Sequence, residues 1–478
     1  MTTKIAVIGA GPAGYVAAIR AAQLGADVTV VEEDNVGGTC LNWGCIPSKV
    51  MITTAELLQK IKKADAFGID VEGDVRLNMQ RLMERKNSII KSQTKGILEL
   101  LKHHNIHYLK GTGYIKGKGL SAVRLSNEET QEVLWDKLIL ATGTRPFNLP
   151  SLAFDGYKIL SSNDALCLQE VPESILIVGG GVIGCEFAFL LSALGSKVII
   201  VEALSRMLPL PSVDEDCSKV LQREMKKRKI KYIVNKTVEQ CDEVNGKLRI
   251  AIGPSPFLEN LTEKDKTPLY ENVDKILVCI GRTPNTTNIE GFDSMGVKLD
   301  GKGWVVTNAR METSVENVYA TGDLLGPSKI MLAHVATTEG LVAAENAMDR
   351  HRTMDYNVVP SAIFTMPEVA CVGLTEAQAK AQGCQARADS VLFRTLGKAQ
   401  VIGDIAGQAK IVSEIGSGKI LGIHIIGPHA TDLIAEGTLA LKTGGKIQDL
   451  ADTIHAHPTL AEIMLETSLK VLDRSLHG

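Results

Sequence analysis

The sequence predicts an α/β protein that ends in a mixed α+β domain. A unit of strand, glycine-rich turn, helix and strand begins at Lys4 and recurs at Ile175. The length of 478 residues exceeds what one hydrophobic core accommodates and indicates three or four domains. From about residue 347 onward, short strands alternate with short helices in a different pattern. These observations predict two parallel-sheet domains and a C-terminal domain of another class.

The two repeated units have the same order of elements. The first has a predicted strand at 4–8, a turn at 9–14, a helix at 15–24 and a strand at 27–31. The second has a strand at 175–178, a turn at 179–184, a helix at 186–194 and a strand at 197–201. Glu32 and Glu202 each follow the last strand, eighteen positions after the third glycine of the turn. This spacing is typical of a Rossmann-like dinucleotide-binding unit.

One such turn alone would be a weak signal, but two copies with matching flanks favour two nucleotide sites. Glycines let the backbone approach a pyrophosphate at the helix N-terminus, where unpaired amides favour anions. The glycines concerned are Gly9, Gly11 and Gly14 in the first copy and Gly179, Gly181 and Gly184 in the second. Glu32 and Glu202 would accept hydrogen bonds from ribose hydroxyls. Because neither tolerates a 2′-phosphate easily, the nicotinamide cofactor is predicted to be NAD rather than NADP.

The remaining elements divide the chain further. Residues 137–143, 273–280 and 317–323 are buried strands that run into turns, and residues 253–270 are polar and predict a loop. The C-terminal part has predicted strands at 362–365, 410–413 and 420–426 and helices at 376–382 and 433–442. The predicted domains are 1–148 with the first nucleotide site, 149–272 with the second, a central domain at 273–346 that completes the first site, and an interface or dimerisation domain at 347–478.

Composition and charge exclude several classes of protein. A net charge of −3 gives no nucleic-acid footprint, and no apolar run of 18 or more residues predicts a membrane span. Nine scattered cysteines do not form an extracellular disulfide framework, and the sequence opens directly into a strand without a signal segment. A cytoplasmic location is therefore expected, with no metal site. The cysteines outside one special pair, Cys185 and Cys279 among them, are interpreted as small buried apolar residues.

That special pair is Cys40 and Cys45, just downstream of the first glycine-rich turn. In a regular helix, residues five apart lie roughly 8–9 Å from each other, beyond the ~7 Å limit for a disulfide. The pair can therefore bridge only in a distorted helix, which Gly44 and Pro47 permit. A disulfide in a deformed turn is easily reduced, which suits catalysis. A flavin would join thiol exchange to hydride transfer, so the first unit is predicted to hold FAD and the second NAD.

The candidate acid–base lies near the C-terminus, in the segment 454–462. His457 precedes Pro458, which suits the first turn of a helix predicted to run to about Leu472. Glu462 is close enough in sequence to orient the imidazole ring, as a carboxylate does in hydrolase triads. A thiol substrate that becomes a disulfide must lose protons, and His457 is the predicted acceptor.

The segments 9–24, 37–49, 179–186, 321–323, 331–334 and 455–462 occur together in one known family. The chain resembles the class I flavoprotein pyridine nucleotide-disulfide oxidoreductases over essentially its whole length, and residues 455–460 favour the lipoamide-specific branch. This resemblance implies reoxidation of protein-bound dihydrolipoamide by NAD⁺ through FAD and a redox-active disulfide bond between Cys40 and Cys45. It also implies a homodimer that serves a 2-oxoacid dehydrogenase or glycine cleavage complex. The lipoyl-bearing acyltransferase or H-protein-type carrier is expected in trans.

The resemblance also assigns residues. Cys45 would face the flavin, Cys40 would exchange with substrate, and His457 with Glu462 would act on the dithiol at the other subunit. Lys49 would lie near the flavin and pair with Glu186. The implied FAD contacts are Gly9, Gly11, Gly14, Glu32, Glu33, Gly38, Thr39, Lys49, Gly113, Thr142, Gly143, Asp323 and Ala333. The implied NAD contacts are Gly179, Gly181, Gly184, Glu186, Glu202 and Gly281.

Other interpretations remain open. A glutathione-reductase-like enzyme is disfavoured because Glu202 disfavours NADP and no arginine cluster follows that strand. A mercuric-reductase-like enzyme would have a second cysteine pair near its C-terminus, but no cysteine follows Cys384. A flavin-binding redox sensor without turnover is the alternative from another class. Trp43 between the cysteines and Val335, where many relatives carry a basic residue, depart from the family pattern.

Overall fold

A computed structural model describes residues 2–125, 128–259, 261–263, 267–287 and 289–477. These residues form two compact units. The first unit contains the chain up to residue 54, residues 78–147 and residues 281–356. The second contains residues 55–77, residues 148–280 and the chain from residue 357 onward. None of the helices in the described ranges is long and apolar enough to cross a membrane.

The first unit contains a mixed sheet with a parallel core. Its strands lie in the order Val318–Ala320, Lys137–Leu140, Lys4–Ile8, Asp27–Glu32, His107–Gly117, Leu120–Leu125 and Thr130–Leu134. The first five strands are parallel to one another, and each of the last two is antiparallel to the strand before it. The helices that belong to or begin in this unit are Pro12–Gln23, Gly38–Trp43, Cys45–Ile61, Met79–His103 and Ala333–Ala347.

The sheet and its helices position three loops at one edge. Strand Lys4–Ile8 is central and almost wholly buried, as expected where helices cover both faces. Strands Lys137–Leu140 and Val318–Ala320 run parallel beside it, so their carboxyl ends meet at the same edge. The loops that follow begin at Gly9, Ala141 and Thr321. This is the edge at which parallel α/β sheets bind ligands.

The second unit contains a parallel sheet and two antiparallel sheets. The parallel strands are ordered Lys231–Ile233, Lys197–Val201, Ser174–Val178, Lys275–Val278 and Ile159–Leu160. The strands Lys236–Val244, Lys247–Pro254 and Leu269–Val273 form an antiparallel sheet. The C-terminal antiparallel sheet is ordered Ser361–Ile363, Glu368–Gly373, Ile420–Gly427, Gln408–Glu414 and Ala386–Leu392. The helices are Ser162–Ala165, Val182–Leu194, Glu215–Lys227, Glu376–Ala381, Gly397–Ile402, Ala430–Lys442, Ile447–Asp452 and Glu462–Val471.

The predicted fold class is confirmed: parallel Rossmann-like sheets are followed by an α+β C-terminal domain. Two local predictions were wrong. Strands Lys247–Pro254 and Leu269–Val273 occupy both ends of the predicted loop 253–270. Pro254 is tolerated because it is the last residue of its strand, where no further ladder donor is needed. Residues 260 and 264–266 of that segment lie outside the described residues. The boundaries of the four predicted domains stay a prediction.

The second error concerns the C-terminal helix, which begins at Glu462 rather than at Pro458. The preceding residues form a separate turn. Thr459 Oγ1 donates to the Ala456 carbonyl at 2.7 Å, and the Thr459 amide donates to Glu462 Oε2 at 2.9 Å. The carboxylate of Glu462, the first residue of the helix, therefore binds this turn, and the helix begins only after the turn.

Candidate active site

Both glycine-rich turns leave no room for side chains. Gly9 has a φ of +100°, and a Cβ there would lie 2.3 Å from the Ala141 carbonyl oxygen. A Cβ at Gly14 would lie 1.8 Å from the Gly9 oxygen. The second copy repeats this arrangement. A Cβ at Gly179 would lie 2.5 Å from the Cys279 oxygen, and a Cβ at Gly184 would lie 1.9 Å from the Gly179 oxygen. Glycine is therefore required at these positions by close approach of backbone to backbone.

The helices after these turns present open N-termini. Gly11 and Gly181 are the N-cap residues of Pro12–Gln23 and Val182–Leu194, and within the described chain neither helix has a side-chain cap there. A Cβ at Gly181 would meet nothing within 4 Å. Uncapped amides beside open space are what a pyrophosphate requires. Both turns therefore fit a dinucleotide.

The two acids occupy equivalent places. Glu32 accepts the Ala10 amide at 2.7 Å and the Asp34 amide at 2.8 Å. Glu202 accepts the Gly180 amide at 2.5 Å and the Leu204 amide at 2.8 Å. Burial raises the pKa of Glu32, and these backbone donors oppose the shift. Each carboxylate is thus fixed beside its glycine turn, where a ribose hydroxyl would reach it.

The helix around the thiol pair is interrupted at Gly44, whose φ of −154° and ψ of −106° separate Gly38–Trp43 from Cys45–Ile61. Cys40 and Cys45 therefore lie in different helices, as the distortion predicted from the sequence requires. Their side chains lie close together, with no disulfide bond between them. The Cys45 hydrogen bond and burial raise the pKa of Cys40, which Lys49 opposes. The pair is close enough for exchange chemistry.

The thiol segment lies directly against the first glycine turn. The Gly37 amide donates to the Ala10 carbonyl at 2.7 Å. Gly38 has a φ of +54°, and a Cβ there would lie 2.6 Å from the Gly11 Cα. Trp43 is accommodated at the surface, with its indole N–H donating to Asp34 at 2.8 Å. The sequence could place these motifs near each other along the chain, but only the fold joins their backbones.

The loop that begins at Ala141 is held by Asn285, a residue that the sequence analysis missed. Thr142 Oγ1 donates to the Asn285 carbonyl at 3.0 Å, and the Asn285 side-chain amide donates back to the Thr142 carbonyl at 2.9 Å. Gly143, next in the chain, has a φ of +65°.

Arg282 donates to Thr144 Oγ1 at 2.6 Å. Burial raises the pKa of Asp323, and the Arg282 charge opposes that shift.

The third loop depends on another missed residue, Glu339. This buried carboxyl accepts the Gly322 amide at 2.7 Å and the Tyr356 hydroxyl at 2.6 Å. Burial raises the pKa of Glu339 to about 7. An acidic residue inside a helix carries no signal of its own in the sequence, since its partner Gly322 is seventeen positions away.

The other predicted contacts are distributed around these loops. Gly113 lies in strand His107–Gly117, where a Cβ would be 3.2 Å from the side chains of Ile8 and Val31. Ala333 begins helix Ala333–Ala347, in which Val335 is buried. Thr39 and Lys49 lie in the two helices that carry the thiols, and Glu33 is exposed. In the second unit, Glu186 is buried and accepts the Phe364 amide at 3.0 Å. Gly281 has a φ of +142°.

His457 has the carboxylate partner that the sequence suggested. Its Nδ1 lies 2.8 Å from Glu462 Oε1, and its side chain is 77% exposed. Burial acts to raise the pKa of Glu462, but the hydrogen bonds from His457 and the Thr459 amide outweigh it and lower the pKa. His455 is held differently, because its ring is buried and contacts Glu436 at 2.9 Å and the Thr453 carbonyl at 2.9 Å. His455 thus anchors the segment, while His457 projects outward. The Lys49–Glu186 pair and action of His457 on the thiols stay predictions.

The chain is similar to known proteins along nearly its whole length. The family described as pyridine nucleotide-disulphide oxidoreductase matches residues 3–340, and the dimerisation domain of that family matches residues 359–468. The chain is 40% identical to dihydrolipoyl dehydrogenase of Chlamydia trachomatis, covering 98% of this chain and 97% of that relative. It is 37% identical to dihydrolipoyl dehydrogenase of Bacillus subtilis, covering 99% and 98%. The solved structure of LpdA from Mycobacterium tuberculosis is 25% identical, with a TM-score of 0.89 and coverage of 98% and 100%.

Proposed function

Since the chain belongs to the pyridine nucleotide-disulphide oxidoreductase family, we propose that it oxidises protein-bound dihydrolipoamide with NAD⁺, as a dihydrolipoyl dehydrogenase. Members of this family use FAD and NAD(H). The observation that carries the proposal is the contact between Gly38 and Gly11, which brings the thiol segment against the first dinucleotide turn. When bound, FAD supplies the link between dithiol oxidation and hydride transfer to NAD⁺.

The chain's own residues account for the thiol exchange. A substrate thiolate attacks the sulfur of Cys40, the bond from Cys40 to Cys45 breaks, and Cys45 leaves as a thiolate. The second substrate sulfur then attacks the first substrate sulfur, which is bonded to Cys40. The bond to Cys40 breaks, so lipoamide leaves with its own disulfide and both cysteines are left reduced. His457 accepts the substrate protons, and Glu462 holds its ring and stabilises the imidazolium.

The preference for NAD over NADP is supported by how Arg206 is used. Arg206 follows Glu202 by four positions and would be the natural cation for a 2′-phosphate. Its guanidinium instead donates to the carbonyls of Leu208, Leu210 and Val213 at 2.8–3.0 Å. Because these bonds consume its donors, Arg206 is not poised for a phosphate, and Glu202 would repel one.

The dimerisation-domain match and the named relatives point to a homodimer and to a lipoyl carrier in general. Ile454 is 97% exposed and Leu439 is 66% exposed, and both lie in the residues matched by that domain. Such exposed apolar side chains are typical of an interface. We further propose action of His457 on the thiols of the second subunit, an acyltransferase or H-protein-type partner in trans, and a cytoplasmic location.

The proposal is tested with Cys45→Ser, assayed for dihydrolipoamide oxidation by NAD⁺. The variant is expected to keep its flavin absorbance and to lose lipoamide turnover by at least about a thousandfold, because exchange needs both sulfurs. Cys167→Ser, at an exposed thiol elsewhere, is the matched control and keeps full turnover. Normal turnover in Cys45→Ser would remove the thiol pair from the mechanism. In the parent, rapid mixing with dihydrolipoamide is expected to give a long-wavelength absorbance band before NADH appears.

A further inference from the structure

A second pair of cysteines lies together in the second unit, outside the candidate active site. Cys217 is in helix Glu215–Lys227, and Cys371 is in strand Glu368–Gly373. Each is 1% exposed, and the two thiols interact with each other. The sequence interprets such residues as small apolar side chains. A pair of sulfurs in direct contact is chemically different from isolated buried cysteines.

A buried histidine faces this pair. Cys371 and His424 are direct partners across adjacent antiparallel strands, so their side chains share one face of the sheet. His424 is fully buried, and its Nε2 lies 3.0 Å from the Leu374 carbonyl, which can only accept a hydrogen bond. Nε2 therefore carries a proton. Among the described residues, Nδ1 has no hydrogen-bond partner, so protonation there would yield an imidazolium beside Cys371.

The start of a helix also favours an anion at Cys371. Asp214, whose backbone amide contributes to lowering the pKa of Cys371, is the N-cap of helix Glu215–Lys227. A thiolate at a helix N-terminus is stabilised by the amides and by the helix dipole. The Cys217 thiol, His424 and this amide together lower the pKa of Cys371 despite burial. The same contact raises the pKa of Cys217. The cluster thus favours a thiolate at Cys371 and a proton on Cys217.

Other charges complete the cluster and connect it with the surface. Lys410 is the partner of His424 on the next strand, and its ammonium contacts Asp214 at 3.1 Å and Asp216 at 2.8 Å. The Asp214 side chain is 5% exposed, whereas that of Asp216 is 40% exposed. Charged groups therefore continue from the buried thiols to solvent. Such a polar path suits a water-sized oxidant better than a bulky disulfide.

We propose that Cys217 and Cys371 are a second, oxidisable dithiol, which hydrogen peroxide converts into a buried disulfide. The Cys371 thiolate attacks a peroxide oxygen, the O–O bond breaks, and the departing hydroxide takes a proton from His424 to become water. Cys371 is then a sulfenic acid. The Cys217 sulfur attacks it, the S–O bond breaks, and the hydroxyl leaves as water with the Cys217 proton. Two thiols are oxidised, and one peroxide is reduced to two waters.

The chain contains an internal control for this chemistry. Cys185 is buried, Cys279 is partly buried, and the two interact electrostatically beside the second glycine turn. Burial raises the pKa of both of these thiols. Since the thiolate is the reactive form, this pair is expected to stay reduced under conditions that oxidise Cys217 and Cys371.

The test uses the full-length holoprotein, reduced, freed of reductant and exposed to increasing hydrogen peroxide. After denaturation, the remaining thiols are alkylated and the digest is analysed by mass spectrometry. A peptide linked through Cys217 and Cys371 is expected, separate from any linked through Cys40 and Cys45. His424→Asn is expected to slow formation of the first link about tenfold or more while leaving the second unchanged, because it removes the charge that stabilises the thiolate.

Two results would overturn the proposal. One is full alkylation of Cys217 and Cys371 at peroxide concentrations that oxidise the exposed Cys167. The other is equal oxidation of Cys185 and Cys279, which would mean that general unfolding rather than the cluster exposes the thiols. Cys217→Ser separates the steps: without the resolving sulfur, Cys371 is expected to gain oxygen atoms instead of a link. The outcome does not depend on the proposed lipoamide activity, because it is read from peptide masses.

Discussion

Oε1 of Glu462 lies 2.8 Å from Nδ1 of His457, although Glu462 is the first residue of a helix and His457 precedes that helix by a separate turn. The second carboxylate oxygen of Glu462 binds the Thr459 amide within that turn. One carboxylate therefore fixes both the chain and the ring. The exposed imidazole therefore has a set direction.

Substitution at His457 is expected to affect turnover far more than cofactor binding. His457→Gln removes the proton acceptor, and dihydrolipoamide oxidation should fall by about 10²–10⁴, the usual contribution of general acid–base catalysis. Glu462→Gln keeps the ring but weakens its support, so a smaller loss of about tenfold to a hundredfold is expected. Steady-state rates measure both. The flavin spectrum and NADH-driven reduction of ferricyanide, which needs no thiol exchange, serve as controls. A parental rate in His457→Gln would assign the acid–base role elsewhere.

Substitutions in the two glycine turns are expected to affect the binding of different cofactors. Gly14→Ala places a methyl group 1.8 Å from the Gly9 oxygen and should abolish FAD binding, whereas Gly184→Ala makes a 1.9 Å contact in the other turn. The latter should retain the flavin spectrum and raise the KM for NAD⁺ about tenfold or more. Gly96→Ala is the control, because a Cβ there meets nothing within 4 Å inside helix Met79–His103. Absorbance, circular dichroism and KM measurements distinguish the variants. Loss of flavin from Gly184→Ala alone would reverse the cofactor assignment.

The elements were predictable where the local pattern determines them. Strands Lys4–Ile8, Lys137–Leu140 and Lys197–Val201 have continuous apolar runs and occupy residues that the sequence indicates. Helices Pro12–Gln23 and Val182–Leu194 begin three or four residues before their predicted starts. The reason is that the last glycine of each turn already lies in the first helical turn, so a glycine pattern marks the ligand loop better than the helix boundary.

The site residues divide in a similar way. Spacing along the chain identifies Cys40, Cys45 and the glycine turns, because their chemistry depends on neighbours in sequence. Periodicity gives no information on contacts such as that between Asn285 and Thr142, which are 143 positions apart. The same holds for Cys217 and Cys371, which meet only when the helix lies on the C-terminal sheet. Long-range partners follow from the fold and not from local patterns.

The use of NAD⁺ should depend on Glu202, but removal of Glu202 should not change the preference from NAD⁺ to NADP⁺. Glu202→Ala loses a ribose acceptor and is expected to lower kcat/KM for NAD⁺ about tenfold, the cost of about 1.4 kcal/mol for a lost hydrogen bond. Activity with NADP⁺ should remain low, because Arg206 stays bound to backbone carbonyls of its own loop. Steady-state kinetics with both nucleotides test this. Efficient use of NADP⁺ by Glu202→Ala would show that Arg206 is released easily.

The last prediction concerns the buried carboxyl of Glu339, whose pKa burial raises from 4.5 to about 7. Because the folded protein holds this proton more tightly than the unfolded chain, stability should fall as the pH rises from about 4.5 to about 7. The full effect is on the order of 3 kcal/mol, at about 1.4 kcal/mol per pKa unit. Glu339→Gln removes the titration, so the variant should gain stability relative to the parent between pH 5 and pH 8, measured by urea unfolding.

Glu345, on the same helix, provides a control of opposite sign. Despite some burial, hydrogen bonds from Arg20 and Arg352 lower the pKa of Glu345, so its contribution is present at neutral pH and lost as the pH falls through the lowered pKa. Glu345→Gln should therefore lose stability relative to the parent at pH 7 and approach it in acid. A Glu339→Gln variant whose stability difference from the parent did not change with pH would place the Glu339 pKa near its ordinary value. The Gly322 amide would then be held by an ionised carboxylate throughout this range.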